Sequence, residues 1–232
     1  MPSRVAVVGA SGFFGRVLAD VLVAKEHDVT AVTRDNFEAA RAGRYDVVVN
    51  AAMPSRRFWA KQHPDLDFIE TVQKTSDLLN GWRFDRFIQI SSVSARCERH
   101  TVYGRHKAAA EVLCERPDCL VVRFSNLYGR GLTKGAIIDI SKGSPVYVSG
   151  ESRYAFTDVH FAAGWVSGAM GRYDVSGVIE VGAKNTLALK DLAAHMKKDA
   201  QFSGPVEVQE ILNPDREFPD AREVLRFAST LS

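Results

Sequence analysis

Along the chain, short unbroken apolar runs alternate with stretches whose apolar residues recur every three or four positions. The unbroken runs are RVAVV (4–8), DVTAVT (28–33), DVVVNA (46–51), RFIQIS (86–91), CLVVRF (119–124), SPVYV (144–148), GVIEV (177–181) and PVEVQEI (205–211). Runs of this length, rich in Val and Ile, predict strands, and the most continuous of them predict burial on both faces. Helical periodicity falls between them, over Gly12–Lys25, Asn36–Ala42, Leu66–Leu79, Tyr103–Arg116, Phe161–Met170 and Leu189–Lys198. The alternation predicts crossover units and a doubly wound parallel sheet of the α/β class. Connections stay short to about residue 125, after which Gly, Ser and Lys become frequent. We therefore divide the chain into a core over 1–125 and a mixed segment over 126–232. The latter is expected to add the last strands and a small cap.

Composition narrows the classes. At 232 residues the chain can bury one substantial core and a small lobe. A formal net charge of +2 gives no reason to expect nucleic acid or a membrane surface as partner. Cys97, Cys114 and Cys119 are odd in number and lack a C-x-x-C spacing, which fits inert thiols in a reduced cytoplasm and no metal site. The first strand starts at Arg4 or Val5, so no signal peptide is expected, and no apolar run is long enough to span a bilayer.

Chemistry enters at the first strand-to-helix turn. Gly9, Gly12 and Gly15 follow G-x-x-G-x-x-G spacing there. Gly9 permits the tight turn, Gly12 lets the backbone approach a pyrophosphate, and Gly15 lets helix and strand pack closely. The helix N-terminus then offers N–H groups and a positive dipole end to phosphates. The setting points to a bound dinucleotide.

With this turn as GASGFFG, the chain resembles the extended short-chain dehydrogenase/reductase superfamily in its NAD-dependent epimerase/dehydratase branch. VVVNAA (47–52), ISS (90–92), YGRHK (103–107), RFSNLYG (123–129) and FTDV (156–159) follow in that family's order. LALKDLAAHM (187–196) and FPDAREVL (218–225) resemble its closing helix and final Asp-Ala signature. The resemblance implies a Rossmann-like fold and a Ser92–Tyr103–Lys107 catalytic triad. Tyr103 and Lys107, four residues apart, share one helix face. A nearby ammonium favours the phenolate, so Tyr103 is expected to be acidified by Lys107, which would also hold the cofactor ribose. Ser92, ending a strand, would polarise the substrate oxygen, with Ser91 shaping the nicotinamide pocket. His100 and His106 flank Tyr103 and are read as surface or loop histidines.

The resemblance places Gly9, Ser11, Gly12, Phe13, Phe14, Gly15, Thr33, Arg34, Asn50, Ala51, Ala52, Ser91, Tyr103 and Lys107 at the cofactor. Arg34, after the second strand, matches a ribose 2′-phosphate and favours NADP(H), with Thr33 and Ser11 as further hydroxyl donors. Asp35 keeps NAD open. Asn126 and Arg153 match substrate-binding positions, and the expected substrate is a nucleotide-activated sugar. Arg56, Arg57, Arg130 and Lys134 are further candidates for its diphosphate, and Phe58 and Trp59 for stacking, although local roles account for each.

Four departures stand out. Between Arg34 and Asp46 there is room for one short helix but not for the usual third strand. Thr71, Lys74 and Asp77 replace Asn, Gly and Asn of the family helix, His160 replaces a common Asp, and Val93 and Ser94 replace a dehydratase Asp-Glu pair. The expected activity is therefore hydride transfer in an epimerase or a ketosugar reductase rather than a dehydratase. The alternatives are a reductase of a small carbonyl compound and a non-catalytic NADP-binding regulator. A homodimer is expected from the resemblance alone.

Overall fold

A computed structural model describes residues 2–231. In chain order its first elements are β1 (Arg4–Val8), α1 (Phe13–Ala24), β2 (Asp28–Val32), α2 (Phe37–Arg41) and β3 (Arg44–Asn50). Then come α3 (Arg57–Gln62), α4 (Pro64–Phe68), a π-helical turn (Ile69–Gln73), α5 (Lys74–Gly81), β4 (Arg83–Ser92), α6 (Ser94–Cys97), α7 (Val102–Val112) and β5 (Cys119–Phe124). The remainder holds β6 (Leu127–Tyr128), α8 (Ala136–Ser141), β7 (Arg153–Tyr154), β8 (Thr157–Asp158), α9 (Val159–Ala169), β9 (Gly177–Val181), β10 (Leu187–Ala188), α10 (Leu189–His195), β11 (Val208–Gln209) and α11 (Val224–Ala228). The chain divides into two units, residues 2–123 with His160–Ile179, and Phe124–Val159 with residues 180–231. Among the described residues, no helix is long and apolar enough to cross a membrane.

Six strands form one sheet in the order β2-β1-β3-β4-β5-β9. The pairings of β1 with β2, β1 with β3, and β3 with β4 are parallel. This is the doubly wound, Rossmann-like α/β fold that the alternation predicts. Successive side chains of β1 point to opposite faces, yet Val5, Ala6, Val7 and Val8 are all buried. On one face Ala6, Val8, Val48, Phe87 and Val121 share a core with Leu78, Leu79 and Trp82. The helix α1 packs against β1 and β2 and buries Phe14, Val17, Leu18 and Leu22, a helical repeat on one side.

Among the described residues no strand lies between β2 and β3 in the chain, and β2 is the edge of the sheet. The short α2 lies between these two strands. Phe37 and Tyr45 close over Trp82, with ring centroids 5.3 and 5.9 Å apart, and the Tyr45 hydroxyl donates to the Ala40 carbonyl at 2.9 Å.

Several expected boundaries shift. The 66–79 helix begins at Pro64 and runs to Gly81, interrupted by the π turn. Helix α7 ends at Val112, short of Arg116. SPVYV forms no strand: Pro145 cannot donate to a ladder, Tyr147 is exposed, and only Val146 bridges to Phe202. PVEVQEI contracts to Val208–Gln209 alongside β7. In the second unit β10, β7 and β11 form a three-stranded sheet, and β6 pairs with β8.

Candidate active site

The glycine turn has the geometry a dinucleotide cradle requires. Gly9 has φ +85°, and a Cβ on it would lie 2.6 Å from Ala52 Cα. A Cβ on Gly15 would lie 2.3 Å from the Gly9 carbonyl oxygen, so the α1–β1 approach depends on its hydrogen. Gly12 differs: its φ is −75°, and an added Cβ would meet only the Gly9 oxygen, at 3.2 Å. Its side toward the mouth of the turn is open. The N-cap Gly12 brings no side chain to the start of α1, and the positive end of the helix dipole there suits an anion. The residues present thus fit a pyrophosphate, and Phe13, Phe14 and exposed Ser11 stand at the same helix start. Gly15→Ala should cost about 1–3 kcal/mol of stability through overpacking and weaken dinucleotide binding; a thermal melt with and without dinucleotide measures both.

Asn50 is fully buried and works on the turn from behind. Its Nδ2 donates to Gln89 Oε1 at 3.0 Å, and its Oδ1 accepts from the Ala52 N–H at 3.2 Å. That holds Ala51 and Ala52 against Gly9, and the Asn50 side chain is spent on the scaffold. After β2, Asn36 Oδ1 accepts from the Thr33 N–H at 2.7 Å, and Arg34 and Asp35 are both exposed.

Ser92, Tyr103 and Lys107 come together. Ser92 ends β4, and its oxygen accepts from the Ser94 N–H at 3.2 Å. Thr101 caps α7 by accepting from the Gly104 N–H at 3.0 Å, which fixes the start of the helix that carries Tyr103. Tyr103 and Lys107 are 7 % and 3 % exposed, and Lys107 Nζ lies 5.2 Å from the Tyr103 ring centroid. The phenol is nevertheless not acidified. Burial pushes its pKa up to about 12, outweighing the Arg57 guanidinium and a Ser92 hydrogen bond, which pull it down, while Glu98 and Asp67 push it up. A phenol raised in this way keeps its proton at neutral pH.

Ser91 faces away from Ser92, as neighbours in a strand must. Its hydroxyl donates to Glu111 Oε1 at 2.6 Å, and Arg123 grips the same carboxylate through Nε at 2.9 Å and Nη2 at 2.5 Å. The side chain expected at the nicotinamide is thus committed to a buried network joining β4, α7 and β5.

In the second unit, Asn126 Nδ2 donates to Gln209 Oε1 at 2.9 Å. Arg153 is exposed, and its Nε donates to Thr186 Oγ1 at 3.0 Å. Arg153, Lys184 and Arg222 line a recess of about 400 Å³ together with Asn185, Thr186 and Glu210. His160 is exposed at the start of α9.

Comparison with known proteins bears on this arrangement. The profile of the NAD dependent epimerase/dehydratase family matches residues 5–182. The chain belongs to that family. A dTDP-4-dehydrorhamnose reductase of Mycolicibacterium smegmatis is 31 % identical over 156 residues, 56 % of this chain and 48 % of that protein. The match thus spans about half the length of that curated relative. Among solved structures, a dTDP-4-dehydrorhamnose reductase from Bacillus anthracis in complex with NADP aligns with a TM-score of 0.79 at 16 % identity, covering 100 % of both chains. A UDP-glucose 4-epimerase from Thermotoga maritima with UDP-glucose aligns at 0.72 and 17 % identity, covering 90 % of this chain and 89 % of that one.

Around Tyr103 the structure adds two carboxylates that the sequence does not announce, Glu98 and Asp67, each paired with a side chain already considered. Arg57 Nη1 pairs with Glu98 Oε1 at 2.7 Å, and His106 Nδ1 with Asp67 Oδ2 at 2.7 Å. His106, read from sequence as a surface or loop residue, is only 18 % exposed in its side chain. Its one sequence signal was its position, one residue before Lys107.

Proposed function

We propose that the protein is an NADP(H)-dependent oxidoreductase that reduces the keto group of a nucleotide-activated sugar. The observation that carries this reading is the cluster of half-buried Ser92 with buried Tyr103 and Lys107, the phenol's pKa being raised by burial. A reduction needs a group that delivers a proton to the oxygen of a carbonyl as it becomes an alkoxide. Tyr103 suits that role at neutral pH, Ser92 donates a second hydrogen bond to the same oxygen, and the Lys107 ammonium favours the phenolate left behind. NADPH, when bound, supplies the hydride. Gly9, Gly12 and Gly15 with the start of α1 would hold its pyrophosphate, and Lys107 its ribose. The similarity to a curated reductase supports the reducing direction over epimerisation.

Within the second unit, the guanidinium groups of Arg153 and Arg222 and the Lys184 ammonium offer charge-assisted hydrogen bonds to a phosphate-bearing ligand. The direct test is consumption of NADPH with a nucleoside-diphosphate 4-keto-6-deoxyhexose, set against a small ketone lacking the nucleotide. Turnover of the small ketone alone would move the assignment to a general carbonyl reductase. NADP over NAD rests on exposed Arg34 after the edge strand, where a guanidinium fork matches a 2′-phosphate. Arg34→Ala should weaken NADPH binding by about ten- to a hundred-fold and leave NADH nearly unaffected. Titrating both cofactors into the variant checks this, and equal losses would remove Arg34 from the phosphate.

A further inference from the structure

Gly104 follows Tyr103 in α7, at a position where a side chain has no room. A Cβ built on it would strike the Glu98 carbonyl, 2.6 Å from the carbon, and would lie 2.8 Å from the Ser94 carbonyl oxygen. All of these atoms belong to the backbone, so no neighbouring side chain can turn aside to relieve the clash. Gly164 and Gly168 of α9 differ, since a Cβ on either meets nothing within 4 Å. Glycine is a poor helix former, and Gly104 stands inside a helix, so what it supplies there is space.

The turn that follows Ser92 occupies that space. Ser94 opens α6; its N–H donates to the Ser92 oxygen at 3.2 Å, and its carbonyl accepts from the Glu98 N–H at 3.0 Å. The Glu98 carbonyl then accepts twice from Thr101, from the N–H at 2.9 Å and from the hydroxyl at 2.8 Å. The same hydroxyl accepts from the Gly104 N–H at 3.0 Å. An unbroken series of close contacts thus runs from Ser92 through Ser94, Glu98 and Thr101 to the residue beside Tyr103. Hydrogen bonds fix its length, and the missing Cβ lets it close onto α7.

We propose that Gly104 is a positioning residue: by carrying no side chain it lets the Ser94–Glu98 turn touch the first turn of α7, and so sets the reach between the Ser92 hydroxyl and the Tyr103 phenol. Thr101 holds the same joint through its hydroxyl. The functional value of the joint rests on the reading that Ser92 and Tyr103 serve one substrate oxygen. A methyl group at position 104 has to open the joint by about an ångström, and a shift of that order in a reacting group costs about a hundred-fold in rate. The dinucleotide cradle stands on β1 and α1, and Lys107 lies one turn further along α7, so cofactor binding does not depend on this contact.

Gly104→Ala should lower kcat for the nucleotide-sugar ketone by about a hundred-fold with NADPH affinity close to that of the parent. Gly164→Ala, which enters open space, should change neither. Crystal structures of the parent and of Gly104→Ala should show Ser92 Oγ and Tyr103 Oη further apart in the variant. Should Gly104→Ala not fold, Thr101 decides: Thr101→Val removes both hydroxyl bonds at nearly constant volume and should cost about tenfold in kcat, and Thr101→Ser should recover most of that loss. A merely structural glycine would lower Tm without changing kcat per folded molecule. The proposal falls if folded Gly104→Ala keeps the parent kcat, loses NADPH affinity in step with kcat, or leaves the Ser92–Tyr103 separation unchanged. It falls equally if Gly164→Ala loses as much, or if Thr101→Ser is as slow as Thr101→Val. If the parent consumes NADPH with neither ketone, the reductase reading fails, and the separation in the two crystal structures alone decides this inference.

Discussion

Tyr103→Phe should lower turnover by about a hundred- to ten-thousand-fold, the range lost when a positioned proton donor is removed, while NADPH affinity stays close to that of the parent. The two effects separate because the ring and the hydroxyl do different work. The ring is 7 % exposed and fills its place whether or not the oxygen is present. Only the oxygen is hydrogen-bonded to Ser92 and able to deliver a proton. The loss should fall on kcat, since the interaction removed is made most strongly as the alkoxide forms. Steady-state kinetics alongside a cofactor titration give both numbers. Retained turnover would take the proton from another group and end the assignment of Tyr103.

What could be read from the residues, and what could not, follows from how local each feature is. The β1 run RVAVV and the glycines after it are local, and the structure places strand, turn and helix where they were expected. Tyr103 and Lys107 are legible for the same reason, since one helical turn joins them. SPVYV is equally apolar, yet it makes no strand, because its proline and the exposed Tyr147 leave no partner ladder. Two-residue strands such as β7 and β11 exist only where the chain returns beside itself, which no window of sequence records.

The direction in which the protein alone shifts the Tyr103 pKa is not legible in the sequence, on similar grounds. The helix spacing supplied Lys107, but the raised value comes from burial with Glu98 and Asp67, which outweigh Arg57 and the Ser92 hydrogen bond and come from distant segments. Asp67, Glu98 and Arg57 reach the phenol from three separate elements, and none has a spacing that announces it. Ser91 shows the limit from the other side. A Ser-Ser pair ending a strand gives two hydroxyls of equal promise, and only the pleat decides which of them is taken by Glu111.

That Glu111 network is where a single change should cost most in stability. Arg123→Met keeps an unbranched side chain of comparable reach but leaves Glu111, 6 % exposed in its side chain, without its cation. Breaking a buried pair in this way should destabilise the protein by about 3–5 kcal/mol, or roughly 10 °C in Tm. The loss comes from stranding a charge and not from the attraction forgone, which makes it recoverable. Glu111→Gln removes the charge and still accepts from the Ser91 hydroxyl, so Glu111→Gln/Arg123→Met should melt well above Arg123→Met alone. Thermal melts of the parent and the two variants decide the matter, and a double variant no more stable than the single one would mean that Arg123 contributes through packing. Ser91 and Glu111 tie the far end of α7 to β4, whereas Thr101 holds the end bearing Tyr103. The double variant should therefore keep its turnover per folded molecule, which separates the anchoring of this helix from the chemistry carried at its start.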